Sequence, residues 1–249
     1  MIDTHTHFLD GDWLHAGATE MTVEEIVKAQ DMYDISEMWM SSIGALADDF
    51  TFYNRNMFEK TKACADRLRY FAAASPYYGR RAVDEVRRCI EDYGFKGIKI
   101  HFWMQGGSVY SPATHDMMEL AARHRLPVLF HDGTPPACDT LQIAWLAGQY
   151  PEVDVILGHS GLHDTFRAAS EAARRLKNVY LCISASPIAD VGWIIDNTPH
   201  GQLLFGSDYG AAPDTDLIAN RRDAIEYACD DASIKEDIFK NNARALMSR

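Results

Sequence analysis

At 249 residues and 47% hydrophobic, the chain can bury one large core but is short for two domains of ordinary size. Its net charge of −12 argues against nucleic acid or an anionic membrane as partner, though not against a small anionic substrate where a local cation dominates the field. No apolar run approaches a membrane span, five cysteines are scattered without a paired motif, and chemistry-bearing residues begin at position 5, so a reduced cytoplasmic protein without a signal peptide is expected.

Short apolar runs alternate with helical stretches throughout, the signature of β-α units around a parallel sheet. Strands are predicted at 2–7, 34–42, 68–74, 96–101, 127–131, 153–159, 178–184 and 203–208. After the first strand, Thr22 and Glu25 form a capping box, with Met21 and Ile26 at the staple positions. Val83, Val86, Ile90 and Tyr93 recur at helical spacing and predict one buried face over 80–94. Ser111 and Pro112 suit a helix start, Pro127 ends that helix before the fifth strand, and Ser233 with Glu236 repeats the capping-box pattern before the last helix. Eight strands with eight intervening or following helices predict a single (β/α)8 TIM barrel of the α/β class over 1–249, near the typical length of about 250 residues. The longest loops are expected at 8–21, 43–53 and 102–111.

The ligand-bearing residues fall at strand ends. In a strand, alternate side chains leave the same face, so His5 and His7 point together and can clasp one cation. His131, His159 and Asp208 each close a short apolar run, at the carboxyl-terminal side where a barrel carries its active site. Three imidazoles and a carboxylate make a single-ion site with room for water or substrate, and the bound ion would bring the pKa of its water to about 7. Asp208 is placed to accept a proton from that water, and His159 to act as acid or base or to polarise a substrate oxygen. Lys99 and His101 alternate onto one face of the fourth strand, His101 being the better substrate contact of the two.

The segments Ile2–His7, Gly94–His101, Leu126–Gly133, Leu157–Gly161, Asn178–Ser184 and Leu204–Tyr209 run in one order across nearly the whole chain. In that order they resemble the amidohydrolase superfamily, in the amidohydrolase-related branch that includes decarboxylases similar to aminocarboxymuconate semialdehyde decarboxylase. The resemblance implies that His5, His7, His131 and Asp208 are metal ligands and that His159 works beside the metal. It also invites comparison of Lys99 with the carboxylated bridging lysine of binuclear relatives, but Lys99 lies two residues inside the apparent strand end and His101 takes the outer position. The expected cofactor is one divalent ion, zinc first and manganese second.

Other residues carry weaker signals. His15, His115, His124, His163 and His200 read as loop or helix-surface residues, and Asp3 as a hydrogen-bonding group deeper in the barrel. Trp13, Trp103 and Tyr209 follow strands and either wall the pocket or pack loops, while Arg55, Arg80, Arg81 and Arg167 are equal candidates for a substrate carboxylate. The expected function is hydrolysis of a small cyclic amide, lactone or ester by a metal-activated water. The same cage serves nonoxidative decarboxylation of a small unsaturated or aromatic acid, and a noncatalytic barrel binding protein is the third reading. A small-molecule substrate is expected, with a homodimer as the default assembly.

Overall fold

The computed structural model describes residues 1–11, 20–211 and 216–248. Eight parallel strands, β1 (Ile2–Phe8), β2 (Glu37–Ser42), β3 (Leu68–Ala73), β4 (Gly97–Ile100), β5 (Val128–Phe130), β6 (Val155–Leu157), β7 (Val179–Ile183) and β8 (Leu203–Phe205), follow one another around the sheet in sequence order. The sheet closes on itself where His7 N–H donates to Tyr209 O at 2.7 Å and Asp208 N–H donates to His5 O at 2.9 Å. The architecture is the (β/α)8 barrel expected from the alternation of elements.

Alternation along each strand divides the core in two. Met38, Met40, Ile98, Ile100, Val128 and Phe130 face outward, into the layer between sheet and helices. Trp39, Phe71, Leu129, Ile156, Tyr180 and Leu204 fill the barrel interior with Ile2. On β1 this parity should send the odd-numbered histidines outward. The pairing with β2 slips by one residue between Asp3 and Thr6, from Asp3 opposite Met38 to Thr6 opposite Met40. That bulge lets Ile2 pack inside while His5 and His7, further along, also reach the interior, a re-aiming that an unbroken strand could not give.

The helices are α1 (Val23–Met32), α2 (Ile43–Ala47), α3 (Phe50–Thr61), α4 (Arg80–Tyr93), α5 (Phe102–Gln105), α6 (Pro112–His124), α7 (Thr140–Gln149), α8 (Leu162–Arg175), α9 (Ile188–Asn197), α10 (Leu217–Ala228), α11 (Ala232–Glu236) and α12 (Asn242–Met247). The Thr22–Glu25 capping box forms at the start of α1, and Val83, Val86 and Ile90 are buried on α4. Three expectations need correction. The stretch 43–53 is not a loop, because Ser42 accepts from Ala45 N–H and Asp49 from Thr51 N–H, starting α2 and α3. The stretch 102–111 opens with α5, whose Gln105 side chain accepts from His101 N–H at 2.8 Å. The last capping group is Asp231, not Ser233: its carboxylate accepts from Ser233 and Ile234 N–H, so the helix starts one residue before Ser233. No helix among the described residues is long and apolar enough to cross a membrane.

Candidate metal centre and pocket

His101, His131, His159 and Asp208 lie one to three residues beyond their strands, where the ladder has ended and the chain is free to turn. Asp208 turns most sharply, with φ of 63°, a left-handed conformation that aspartate tolerates better than most residues. There its carboxylate meets the β1 pair across the seam: Oδ1 stands 3.4 Å from His5 Nε2 and 3.2 Å from His7 Nε2. The three donor atoms lie within 4.8 Å of one another. Both histidines are buried and the carboxylate is 22% exposed.

Hydrogen bonding decides which nitrogens carry protons. Gly158 O can only accept, so His5 Nδ1, 2.9 Å away, carries the hydrogen and its Nε2 keeps a lone pair. The Ser184 hydroxyl donates to the same carbonyl at 2.6 Å and therefore accepts from His159 Nδ1 at 2.8 Å. His159 Nε2 is then an acceptor, and His131 Nδ1 donates to it at 2.8 Å. The remaining lone pair of His131, on Nε2, faces the Thr134 hydroxyl at 3.2 Å. One backbone carbonyl thus sets the polarity of two catalytic candidates and, through His159, of a third.

Burial keeps these imidazoles neutral. It drives the pKa of His5 well below its ordinary value and that of His159 down to about 4, with Lys99 adding repulsion in both cases and Asp208 opposing. His7, His101 and His131 are lowered for the same first reason. Burial works against the Asp208 charge as well, yet His5 and the bond from His7 hold its carboxyl well below the carboxylate range. Neutral nitrogen donors beside an ionised carboxylate are what a borderline divalent cation such as zinc takes, so His5, His7 and Asp208 fit one.

The other expected residues take separate positions. His131 is not in the His5–His7–Asp208 group: its ring stacks on His101 at 3.7 Å and 7°, and those two rings group with Cys138. Lys99 is fully buried under the site, its Nζ 2.8 Å from His5 Nε2, and burial brings its pKa down to about 8. His101 and Trp103 do line the cavity. Tyr209 is not among the residues lining the cavity; it lines a groove with Tyr33, Asp216 and Ile218, and its backbone carbonyl accepts from His7 N–H at the barrel seam. Asp3 accepts from Ser207 N–H and Oγ–H deep in the seam, and burial raises its pKa to about 7. His163 is exposed and held by Asp190, while Trp13 and His15 lie outside the described residues.

Several supporting groups had no local signature in the sequence. Ser41 lies 3.2 Å from His7 Nδ1. Asp132, fully buried, accepts from His159 N–H and Gly161 N–H at 2.7 Å each and from Thr140 Oγ at 3.2 Å, tying the end of β5 to the turn after β6. Beside the His5–His7–Asp208 group sits a cavity of about 230 Å³ with His7, His101, His131, His159 and Asp208 on its polar side. Ile43, Leu46, Met104, Leu162 and Ala185 make the opposite wall. A larger hollow, about 740 Å³, lies on the outer face of α1 and holds none of these groups.

Solved structures share this fold over their full length. The chain is similar to 2,6-dihydroxybenzoate decarboxylase from Rhizobium, with TM-score 0.74, 17% identity, and coverage of 99% of this chain and 98% of that one. It is similar to a probable 2-pyrone-4,6-dicarboxylic acid hydrolase from Acinetobacter baumannii, with TM-score 0.74, 16% identity, and coverage of 100% and 99%. 4-Oxalomesaconate hydratase from Rhodopseudomonas palustris gives TM-score 0.74, 15% identity, and coverage of 100% and 95%. At these identities the likeness speaks for the fold, and three different reactions are built on it. Family membership comes from the sequence itself: the family model described as Amidohydrolase matches residues 2–248, and the chain belongs to the amidohydrolase family.

Proposed function

We propose that this enzyme is a metal-dependent hydrolase of a small cyclic amide, lactone or ester. The observation that supports this reading is the convergence of His5, His7 and Asp208 beside a neutral His159 whose Nε2 is an acceptor. When bound, a single divalent ion, zinc in the first instance, would supply Lewis acidity and lower the pKa of a water to about 7. His5 and His7 would hold it through nitrogens, with His131 in reach of the same pocket as a further imidazole. Asp208 is ionised and its carboxylate would accept a proton, and His159 would take or return one at Nε2. The apolar wall of Ile43, Leu46, Met104 and Leu162 orients the substrate and keeps bulk water out.

That same wall favours a second reading, decarboxylation of a small unsaturated or aromatic acid, since a poorly solvating surface disfavours a carboxylate more than the neutral product. The test is an assay of metal-loaded protein against lactones, cyclic amides and aromatic acids, scoring ring-opened product and carbon dioxide together. Hydrolysis abolished by chelation and by His5→Ala is expected. Carbon dioxide without hydrolytic product selects the second reading, and turnover that survives both treatments sinks the metal-dependent mechanism.

A further inference from the structure

Trp103 is the lining residue that the fold explains least. It sits on α5, just past the end of β4, and of the residues around the cavity it alone is mostly exposed, at 69%. An indole carries a large apolar surface that folding ordinarily covers, and here much of it stays in water. The backbone beneath the ring is nonetheless pinned. Trp103 N–H donates to the buried Cys138 Sγ at 3.3 Å, Gln105 Oε1 accepts from His101 N–H at 2.8 Å, and the Ser75 hydroxyl donates to Gln105 O. Phe102, beside it, is buried against Phe130 at a ring separation of 5.8 Å. The indole is thus an uncovered surface on a fixed mount, and its ring contact among the described residues, His101, is 6.1 Å away and tilted by 35°.

The rest of the cavity narrows what can cover it. Ile43, Leu46 and Leu162 supply aliphatic wall, and on the polar side the His101 and His131 rings lie within 7° of parallel. A volume of about 230 Å³ is below the ~300–1,000 Å³ of pockets for drug-sized ligands, so one ring with a small substituent fills it. The lining has no lysine or arginine, and the segments 12–19 and 212–215 carry none in their sequence. Arg80 pairs with Asp84, Arg81 with Asp49, and Arg167 lies over Phe166 and Trp193. Choice between rings of similar size therefore falls to surface and shape, not to a cationic side chain. We propose that Trp103 selects a planar, unsaturated ring by stacking its indole on one face of the substrate; the assignment rests on reading the cavity as the substrate site. A flat ring covers an indole face in offset stacking, whereas a puckered saturated ring of the same size meets it only through its axial hydrogens. Among small lactones, cyclic amides and acids, the pocket thus favours conjugated members over saturated ones.

The experiment compares benzamide with cyclohexanecarboxamide, a neutral pair that differs in ring planarity and not in charge. Wild-type, Trp103→Leu and Trp103→Phe proteins are titrated by NMR, each zinc-loaded and chelated. Wild type is expected to prefer benzamide. Trp103→Leu should weaken benzamide roughly two- to tenfold with the saturated amide little changed, and Trp103→Phe should keep most of the preference. The Trp103 indole N–H resonance, assigned by its absence from Trp103→Phe, should move upfield under the ring current of bound benzamide and hold its place with cyclohexanecarboxamide. A wild type without the preference overturns the proposal, as does an indole resonance that benzamide leaves in place. So does a Trp103→Leu protein that binds benzamide as wild type does, or one that loses both probes equally, which marks a wall without selectivity. Circular dichroism confirms folding; should Trp103→Leu unfold, the wild-type ring-current shift and the Trp103→Phe affinities still decide. A Trp103-dependent preference that survives chelation stands even if metal-dependent hydrolysis fails. Hydrolysis that needs the metal while planar and saturated rings bind alike overturns this assignment alone.

Discussion

Ser184 illustrates how much of this site hangs on groups outside the His5–His7–Asp208 set. Its hydroxyl has one proton, spent on Gly158 O, and so it leaves His159 Nε2 as the unprotonated, accepting nitrogen. Ser184→Ala should leave the fold intact and lower turnover by about ten- to a hundredfold, with Ser184→Thr recovering part of it. Nitrogen-15 NMR separates this from a structural effect: wild-type His159 should show a protonated Nδ1, and the alanine variant a mixture of tautomers. His163 offers a contrasting case away from the pocket. Its pKa is raised, first by the hydrogen bond to Asp190 and then by that carboxylate's charge. The sign follows from linkage: the contribution to stability is complete below the unfolded pKa and disappears as pH rises through the higher folded value. The melting-temperature difference between wild type and His163→Gln should therefore be present in mild acid and vanish in mild alkali.

Between elements, the decisive link is Asp132. Its carboxylate follows β5 and receives two backbone N–H groups from the turn between β6 and α8, so a single side chain fixes where His159 stands relative to His131. Burial raises its pKa to about 6 against the pull of those bonds. Asp132→Ala strands two buried donors and should cost about 2–5 kcal/mol in urea unfolding, whereas a loss below ~1 kcal/mol would show that the turn holds itself. Elements also mark how far sequence reasoning reaches. The period of two and the apolar runs made eight strands and their carboxyl ends legible, since both signals are local. The β1 bulge was not legible, because register is a property of the pair β1–β2 and no residue in either strand announces it. Ser41, Asp132 and Ser184 were hidden for a related reason: each acts on a residue from another part of the chain. His131 shows the remaining gap. Position at a strand end was readable, but the ring's stacking on His101 depends on rotamers that only packing selects.

At the scale of the whole molecule, the site straddles the seam of the barrel. His5 and His7 come from β1 and Asp208 from the turn after β8, and Asp3 and Ser207 bind across the same joint one layer down. An ion shared by the first and last strands would therefore brace the closure itself. Metal-loaded protein should melt above chelated protein, by an amount equivalent to about 4 kcal/mol when free metal exceeds its Kd a thousandfold, and Asp208→Asn should erase the increment. An equal shift in that variant would place the ion elsewhere.

The seam also has a meaning in time. A ribosome delivers the β1 histidines some two hundred residues before the Asp208 carboxylate that faces them. Throughout synthesis the nascent chain carries an incomplete chelate, and an interrupted translation product keeps the imidazoles without their counterpart. A site built from these three groups would therefore be complete only after nearly every strand has been made.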